Sequence, residues 1–466
     1  MTLDVAVVGG GVSGLYAAYE LARRGHRVAV LERQARAGGN AISERLGGFL
    51  MEHGPSTVSP AAPAAAVASS ALGLDAVRCG LGPGVRRRYL VKDGALAGIA
   101  VHPLGFLTAS YLSPGARARL LAEALVPRRG AESGEETVAA FCRRRFGREF
   151  AERVIEPLVQ GLYAGDANAL SVAAVFPRLV EMERSHGSIL SAVLRSRLHK
   201  GSMPARRPFS WRDGVGTLPA ALARALGERV ATGVAVRRLR PVRGGFRIEA
   251  GGAGTRLARS VVIATQPHVA AGLLDGLDEP AAAATAAIEA PPLAVVFLGY
   301  RRDRVAHPLD GLGYLVPAAE GRAATGALFP STMFVGRAPA GHVALCAYFS
   351  GVRTPALAAM TPDELIAVAQ SEFRDLLGAR GAPALARVRV WPRGLPQYRL
   401  GHAGRTDRLR GAERRLPGLF LTGNYVAGPS IGACLGEARA TATRVDAHLR
   451  GRAAGDAPAI AVAGGL

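Results

Sequence analysis

The chain is almost without lysine: Lys92 and Lys200 are the only two among 466 residues. Its formal net charge of +22 at pH 7 is therefore carried by arginine. A charge of that size attracts anions in general, whether nucleic acid, an anionic membrane face or an acidic substrate. No basic patch interleaved with aromatics and no nucleic-acid module accompanies it, so nucleic acid is not expected as a partner. Cysteine is scarce as well. Cys79, Cys142, Cys346 and Cys434 are widely spaced and form no C-x-x-C pair. That argues against a disulfide framework or a zinc site and for reduced thiols in a cytoplasmic protein. No His/Cys/Asp cluster has metal-ligand spacing, so no metal is expected. Uninterrupted apolar runs of about 18 residues are missing, and with them any expected membrane-spanning helix. The N-terminus enters a strand pattern at once, and no secretory leader is read there. Apolar residues (49%) and glycine (59) are plentiful. A chain of this length is expected to hold two or three domains.

The stretch from Leu3 to Asn40 organises the rest. It reads as a strand, a glycine turn at Gly9-Gly10-Gly11-Val12-Ser13-Gly14, a helix, a turn at Gly25 and a second strand ending at Glu32. The first strand is a near-continuous apolar run, as a parallel strand buried on both faces should be. Gly9, Gly11 and Gly14 fill the G-x-G-x-x-G spacing, in which the glycines allow a tight turn, close approach to a pyrophosphate and close helix–strand packing. The helix N-terminus offers free N–H groups and partial positive charge to phosphates. Glu32 lies near the spacing of about 20 residues expected for an acid that accepts ribose hydroxyls. It disfavours a 2′-phosphate, although Arg33 beside it blunts that argument. Two further glycine-bearing loops, Arg36-x-Gly38-Gly39-Asn40 and Glu52-His53-Gly54-Pro55-Ser56, follow at once. They suit an extended flavin dinucleotide better than NAD, the bland alternative being two surface turns.

Further along, Val85 to Lys92 reads as a strand entering a hairpin turn at Asp93-Gly94. One of Arg86, Arg87 and Arg88 could clamp a carboxylate, the alternative being a solvated edge. The interval 95–205 is expected to be an all-helical insertion. It holds an interrupted apolar stretch from Leu96 to Leu112 and a basic helix from Pro114 to Val126, a pairing that could lie on a membrane surface or simply form a helical subdomain. Ser133-Gly-Glu-Glu136 reads as a capping box for a helix to Arg145. A second helix runs from Arg148 to Gln160, Gly161 to Asp166 breaks the pattern, and helix resumes over Ser171 to Glu183 and Ser188 to His199. Strands are expected at Val230–Leu239, Gly245–Glu249 and Ser260–Ala264, then in a mixed α+β section to Trp391. The chain closes with Leu419-Phe-Leu421-Thr-Gly423-Asn424 and a helix from Ile431 to Leu449, a second helix N-terminus aimed at a flavin. The tail from Gly451 reads as loose. The expected organisation is thus α/β: a Rossmann-type FAD-binding domain (1–84, 206–290 and 391–450), a substrate-domain strand (85–94), the helical insertion (95–205), a mixed α+β substrate domain (291–390) and a tail (451–466).

Gly428-Pro429-Ser430-Ile431-Gly432 also matches G-x-S-x-G, the nucleophile elbow of α/β-hydrolases. Chain order defeats it. His448 is the only histidine that follows, and Asp446, two residues before it on one helix, points a different way.

With these residues in hand, the sequence resembles the oxygen-dependent protoporphyrinogen oxidase branch of the flavin amine oxidase-like superfamily. The likeness runs to about Leu449. Its marks are the glycine turn, Glu32 with Arg36-x-Gly38-Gly39, Glu52-x-Gly54-Pro55, Gly161-Leu-Tyr-Ala-Gly-Asp-x-x-x-Leu-Ser171, Phe176-Pro177, Gly313-Tyr-Leu-Val-Pro317, Pro396-Gln397-Tyr398 with Gly401-His402, and Gly423-Asn424. It implies FAD contacts at Gly9, Gly10, Gly11, Val12, Ser13, Gly14, Glu32, Arg33, Arg36, Gly39, Asn40, Gly54, Pro55, Ser56, Thr57, Val236, Gly423, Asn424, Pro429, Ser430 and Ile431. It implies substrate contacts at Arg88, Gly161, Phe334 and Tyr348, Arg88 gripping a propionate. At the end the sequence departs from the family: Pro429 replaces a usual Val, and Gly432-Ala433 replace Asn-Asp. The implied activity is six-electron oxidation of protoporphyrinogen IX in haem biosynthesis, FAD taking hydride three times and molecular oxygen giving hydrogen peroxide. The implied setting is the cytoplasmic face of the cell membrane, with peripheral contact through the insertion. Coproporphyrinogen III is the alternative tetrapyrrole substrate. An amine oxidase, a carotenoid desaturase and a non-enzymatic FAD or haem chaperone are the other readings. A homodimer is left open.

Overall fold

The computed structural model describes residues 2–59, 63–99, 111–130, 134–200, 207–251 and 254–453. In chain order its strands are β1 (Leu3–Val8), β2 (Val28–Leu31), β3 (Ser43–Leu46), β4 (Phe49–Glu52), β5 (Arg78–Gly80), β6 (Arg87–Lys92), β7 (Ala95–Ile99), β8 (Phe209–Trp211) and β9 (Val230–Ala231). They continue with β10 (Val236–Val242), β11 (Gly245–Ala250), β12 (Gly254–Ile263), β13 (Leu293–Arg301), β14 (Gly311–Leu315), β15 (Gly326–Leu328), β16 (His342–Ser350), β17 (Leu385–Trp391) and β18 (Leu419–Leu421).

Two seven-stranded sheets carry the architecture. The first has the order β10-β11-β12-β1-β2-β9, with β18 beside β12. Its centre is parallel: Val5 of β1 pairs with Val28 on one side and Ser260 on the other. β1 is buried on both faces, as its apolar run requires. Val5 and Val7 pack with the helices Val12–Arg23 (α1), Thr217–Leu226 and Ile431–Ala453, while Ala6 and Val8 pack with Pro267–Leu274, Glu279–Ala286 and His402–Arg415. The second sheet runs β17-β13-β16-β15-β14-β6-β7. One of its faces buries Ala294, Val296, Leu345, Phe349 and Tyr314 against the helix Pro362–Leu377. The other carries Leu90, Leu315, Phe297, Cys346 and Tyr348 toward the helical segment and the β3–β4 hairpin.

Several sequence expectations change in three dimensions. The interval 95–205 is not helical throughout. Asp93 (φ 53) and Gly94 (φ 76) turn the chain back, so Ala95–Ile99 pairs with β6 as a strand. The capping box at Ser133–Glu136 is replaced by Thr137, whose hydroxyl accepts from the Ala140 N–H and caps Val138–Phe146. Ser133 itself lies outside the described residues, as do Pro60–Ala62, Ala100–Ser110 of the apolar stretch, and 454–466 of the tail. Both glutamates of that box serve elsewhere: Glu135 accepts from Ser171 and Glu136 from Arg144. Gly161 does not break a helix. Helix Glu156–Tyr163 runs through it, after a π-helical turn at Ala151–Ile155, and ends where Ala164 turns left-handed (φ 50). Ser171–Glu183 is two helices, Val172–Val175 and Pro177–His186. Phe176 (φ −130, ψ 60) separates them because a residue before proline is driven from helical geometry. Val230–Leu239 is two strands, interrupted by the positive φ of Gly233. The helices at 267–274, 279–286 and 402–415 carry no expectation from the sequence.

Candidate active site

The glycine turn has the geometry its spacing requires. At Gly14 an added Cβ would lie 2.0 Å from the Gly9 carbonyl oxygen, and at Gly9 (φ +106) 2.8 Å from that of Ala264. At Gly11 it would meet only the Gly39 Cα at 3.9 Å, so one side of that backbone is open. Gly11 also starts α1, which has no side-chain cap and no acid in its first turn. An uncapped N-terminus with a bare, open glycine beside it fits a diphosphate. The residues therefore fit FAD. Glu32 is buried and prearranged: Oε2 accepts the Gly10 N–H (2.7 Å) and Oε1 the Gln34 N–H (2.8 Å). Val234 bonds back to the Glu32 carbonyl, which brings Val236 to the same end of the sheet. Arg33 is exposed there.

The second loop docks on the first. Gly38 N–H donates to the Gly10 carbonyl at 2.7 Å, and Gly39 stands so close to Gly11 that a Cβ would approach its Cα to 3.0 Å. Arg36 turns onto the Gly39 carbonyl (2.9 Å) and holds this loop. The third loop docks on the second: a Cβ at Gly54 would meet the Asn40 carbonyl at 2.2 Å. Pro55, Ser56 and Thr57 follow, all half-buried. At the far end of the chain, Gly423 (φ 146) leads into Asn424, whose carbonyl accepts the Tyr398 hydroxyl. The Pro429-Ser430-Ile431 turn opens the helix Ile431–Ala453. Ser430 Oγ accepts the Ala433 N–H (3.1 Å), so this serine is a helix cap. Asp446 is bound to His26 (2.7 Å) and Arg450, away from Ser430, which removes the hydrolase relay. The helix packs along α1, and the Cys434 thiol lies in hydrogen-bonding reach of Ser13. The starts of the two helices are thus neighbours, with Gly432-Ala433 standing in place of Asn-Asp.

Opposite these loops lies the second sheet's other face, on which Leu90, Phe297 and Cys346 are buried. Phe334 and Tyr348 line one cavity with Phe297, Leu328, Ser56 and Glu52. Burial pushes the Tyr348 phenol well above its usual range, so it stays a neutral hydroxyl near Ser56. Arg88 is on the same face as Leu90, which pairs in register with Leu315. Gly161 sits against that leucine: a Cβ there would come within 2.5 Å of Leu315 Cδ2. The fold therefore brings Arg88 and Gly161 to one end of this face and Phe334 and Tyr348 to the other. Arg88 is exposed and has no carboxylate within ion-pair distance among the described residues.

Sequence reasoning missed the buried node behind the cavity. Glu52 Oε1 accepts from Arg337 Nη1 (3.0 Å) and the Val215 N–H (3.0 Å), and Oε2 accepts from Ser43. Arg337 Nη2 donates to Ser210 Oγ and the Trp211 carbonyl. Burial pushes the Glu52 carboxyl above its usual range even with Arg337 opposing. Arg337 follows Gly336 in a turn with no distinguishing pattern, so nothing in the sequence marks it. Arg389 and Trp391, beside His53, were also missed, although Arg387-Val-Arg389-Val-Trp391 has a visible period of two. All four cysteines are free, and no His/Cys/Asp/Glu group among the described residues could hold a metal ion.

A nucleotide-binding glycine turn, two neighbouring helix starts and a facing mixed sheet define a two-sheet flavoprotein oxidoreductase. The chain belongs to the flavin containing amine oxidoreductase family, whose model matches residues 12–446, and its cofactor is FAD. It is 32% identical over 477 residues to "Protoporphyrinogen oxidase 1, chloroplastic" of Arabidopsis thaliana, covering 96% of this chain and 88% of that one. It is 26% identical to "Coproporphyrinogen III oxidase" of Bacillus subtilis (strain 168), covering 96% and 98%. Among solved structures, one from Exiguobacterium sp. 255-15, provisionally assigned as a protoporphyrinogen oxidase, has a TM-score of 0.82 at 21% identity and covers 97% of this chain and 99% of that one. Cyclohexylamine oxidase from Brevibacterium oxydans IH-35A has a TM-score of 0.71 at 17% identity over 97% and 100%. At such identities the structural likenesses speak for the fold alone.

Proposed function

We propose that this chain oxidises protoporphyrinogen IX to protoporphyrin IX in haem biosynthesis, with oxygen as acceptor and hydrogen peroxide as by-product. The names of its relatives support a porphyrinogen substrate. The observation that carries the reading is the chemistry of the second sheet's face toward the cofactor loops. Leu315, Leu328 and Phe297 make it apolar, and Arg88, without a carboxylate partner among the described residues, stands toward one edge. β6 and β16 are three strands apart, roughly 14 Å at about 4.8 Å per strand. That span suits a flat macrocycle with a propionate on Arg88 and its ring system toward Tyr348 and Phe334. Charge-assisted bidentate bonding suits a guanidinium to that propionate. When bound, FAD supplies the hydride acceptor. The chain's own work is orientation and exclusion of water. Leu315 and Gly161 close one end of the slot. Tyr348, kept protonated by burial, offers a neutral hydroxyl, and both Glu52 oxygens are engaged, so no free base stands at the cavity. Glu32, Arg33, Asn40, Gly54–Thr57, Val236 and Pro429–Ile431 hold the cofactor in this reading.

A second substrate, coproporphyrinogen III, is favoured by Arg86, exposed near Arg88 and without an ion-pair partner among the described residues; it could take an additional propionate. Oxygen uptake and porphyrin fluorescence with the two porphyrinogens side by side test the proposal. Porphyrin formed with matching peroxide is the expected result. FAD-loaded protein that oxidises neither porphyrinogen overturns it. The proposed location is the cytoplasmic face of the cell membrane. Leu121 and Leu125 are exposed (56% and 85%), and exposed Arg128 and Arg129 follow them. Apolar side chains beside basic ones suit an anionic lipid surface. No helix among the described residues is long and apolar enough to cross a membrane.

A further inference from the structure

On β17 the residues alternate: Ala386, Val388 and Val390 pack on the second sheet's core, which turns Arg387, Arg389 and Trp391 to the cofactor-facing side. Arg389 is half-buried. Its Cζ sits 5.5 Å from the centre of the Trp391 ring, and its Nε is buried without a hydrogen bond. Trp391 Nε1 donates to the His53 carbonyl at 2.6 Å, which fixes this end of the strand beside Gly54. Arg36 reaches the Gly39 carbonyl from the neighbouring loop. Burial and the charge of Arg389 together push the Arg36 guanidinium below its usual range, against the pull of Glu32. Burial also pushes His53 down; Glu44 opposes this, and Arg389 and Arg36 add to it. Neither arginine has a carboxylate within ion-pair distance among the described residues. Arg36 is exposed and Arg389 half-buried, and an anion reaching both guanidiniums would supply the acceptor that the buried Arg389 Nε lacks.

We propose that Arg389 binds a phosphoryl oxyanion of the cofactor diphosphate together with Arg36, across the gap between the two sheets. Gly38 and Gly39 pack against Gly11, whose backbone is open on one side, at the uncapped start of α1. The second sheet therefore contributes directly to cofactor affinity, besides shaping the substrate face.

Apo-protein titrated with FAD, read by quenching of flavin fluorescence, tests this without turnover. Arg389→Gln weakens FAD at least tenfold, Arg389→Lys recovers most of the affinity, and Arg387→Gln, altering an exposed arginine on the same strand face, stays within twofold of the natural protein. Inorganic pyrophosphate competes with FAD at least fivefold less well in Arg389→Gln than in the natural protein. An FAD affinity within twofold in Arg389→Gln overturns the proposal. So do equal losses in the Gln and Lys variants, or an unchanged pyrophosphate inhibition constant, since either assigns Arg389 to packing on Trp391. If Arg389→Gln does not fold, Arg389→Lys decides: it must fold and bind FAD within about threefold of the natural protein.

Discussion

Replacing Arg337 by Met probes how β4 and β8 are held beside the second sheet. Arg337 is 2% exposed and makes hydrogen bonds to three groups: the Glu52 carboxylate, Ser210 Oγ and the Trp211 carbonyl. Glu52 belongs to the cofactor-side hairpin, so this one side chain links β4, β8 and the loop before β16. Methionine can fill much of the space but leaves the carboxylate buried without its cation. Breaking a buried pair in this way costs about 3–5 kcal/mol. Glu52→Gln in the same background removes the stranded charge, so the double variant should recover on the order of 2 kcal/mol of that loss, a coupling typical of contacting groups. The effect depends on pH with a definite sign. Burial already raises the folded Glu52 pKa above its unfolded value, and removing Arg337 raises it further. A raised carboxyl pKa penalises the fold at pH above it, and the penalty fades as pH falls toward the unfolded value. The stability gap between Arg337→Met and the natural protein should therefore narrow between pH 8 and pH 5. Chemical denaturation of the apo-proteins across that range measures it. A gap independent of pH, or strictly additive losses in the double variant, would refute the idea that Glu52 is a stranded charge.

Four other expectations follow from single sites. Arg88→Ala should raise KM for a porphyrinogen more than tenfold, since a charge-assisted pair is worth about 1.5–3 kcal/mol, and an unchanged KM takes Arg88 out of the site. Gly161→Val should cut turnover while FAD binding persists, because its Cβ would overlap Leu315; normal turnover would separate Gly161 from the slot. Burial holds the His402 imidazole down at about 4, so the fold prefers it neutral and loses stability as pH falls from about 6.5 to 4. Relative to His402→Gln that loss should reach roughly 3 kcal/mol, and parallel pH curves for the two proteins would disprove it. Leu125→Glu should weaken salt-sensitive binding to anionic liposomes, and equal binding to neutral vesicles would discard the charge-driven contact.

Much was legible before any coordinates. β1, the glycine turn, α1, β2 and Glu32 form a local unit whose residue types, spacing and burial requirements all agree, so strand, turn and helix follow from short-range chemistry. The Asp93-Gly94 hairpin and the helix from Ile431 were visible for the same reason. Less legible were helix boundaries in the insertion: Thr137 caps the helix in place of a plausible capping box because Glu136 bonds Arg144 within that helix and Glu135 bonds the distant Ser171. Chain order had already set Ser430 aside as a nucleophile, and the structure shows its hydroxyl capping a helix.

By itself the sequence determined the nucleotide-binding unit and the flavin class, because those depend on neighbours a few residues apart and on their side-chain chemistry. Only the tertiary structure decided which distant groups meet. It set Glu52 on Arg337 and Trp391 on His53, and it laid Arg88, Leu315 and Tyr348 on one sheet face. Such pairings come from strand order and register across hundreds of residues, and a period of two tells which side chains share a face without telling what that face will meet.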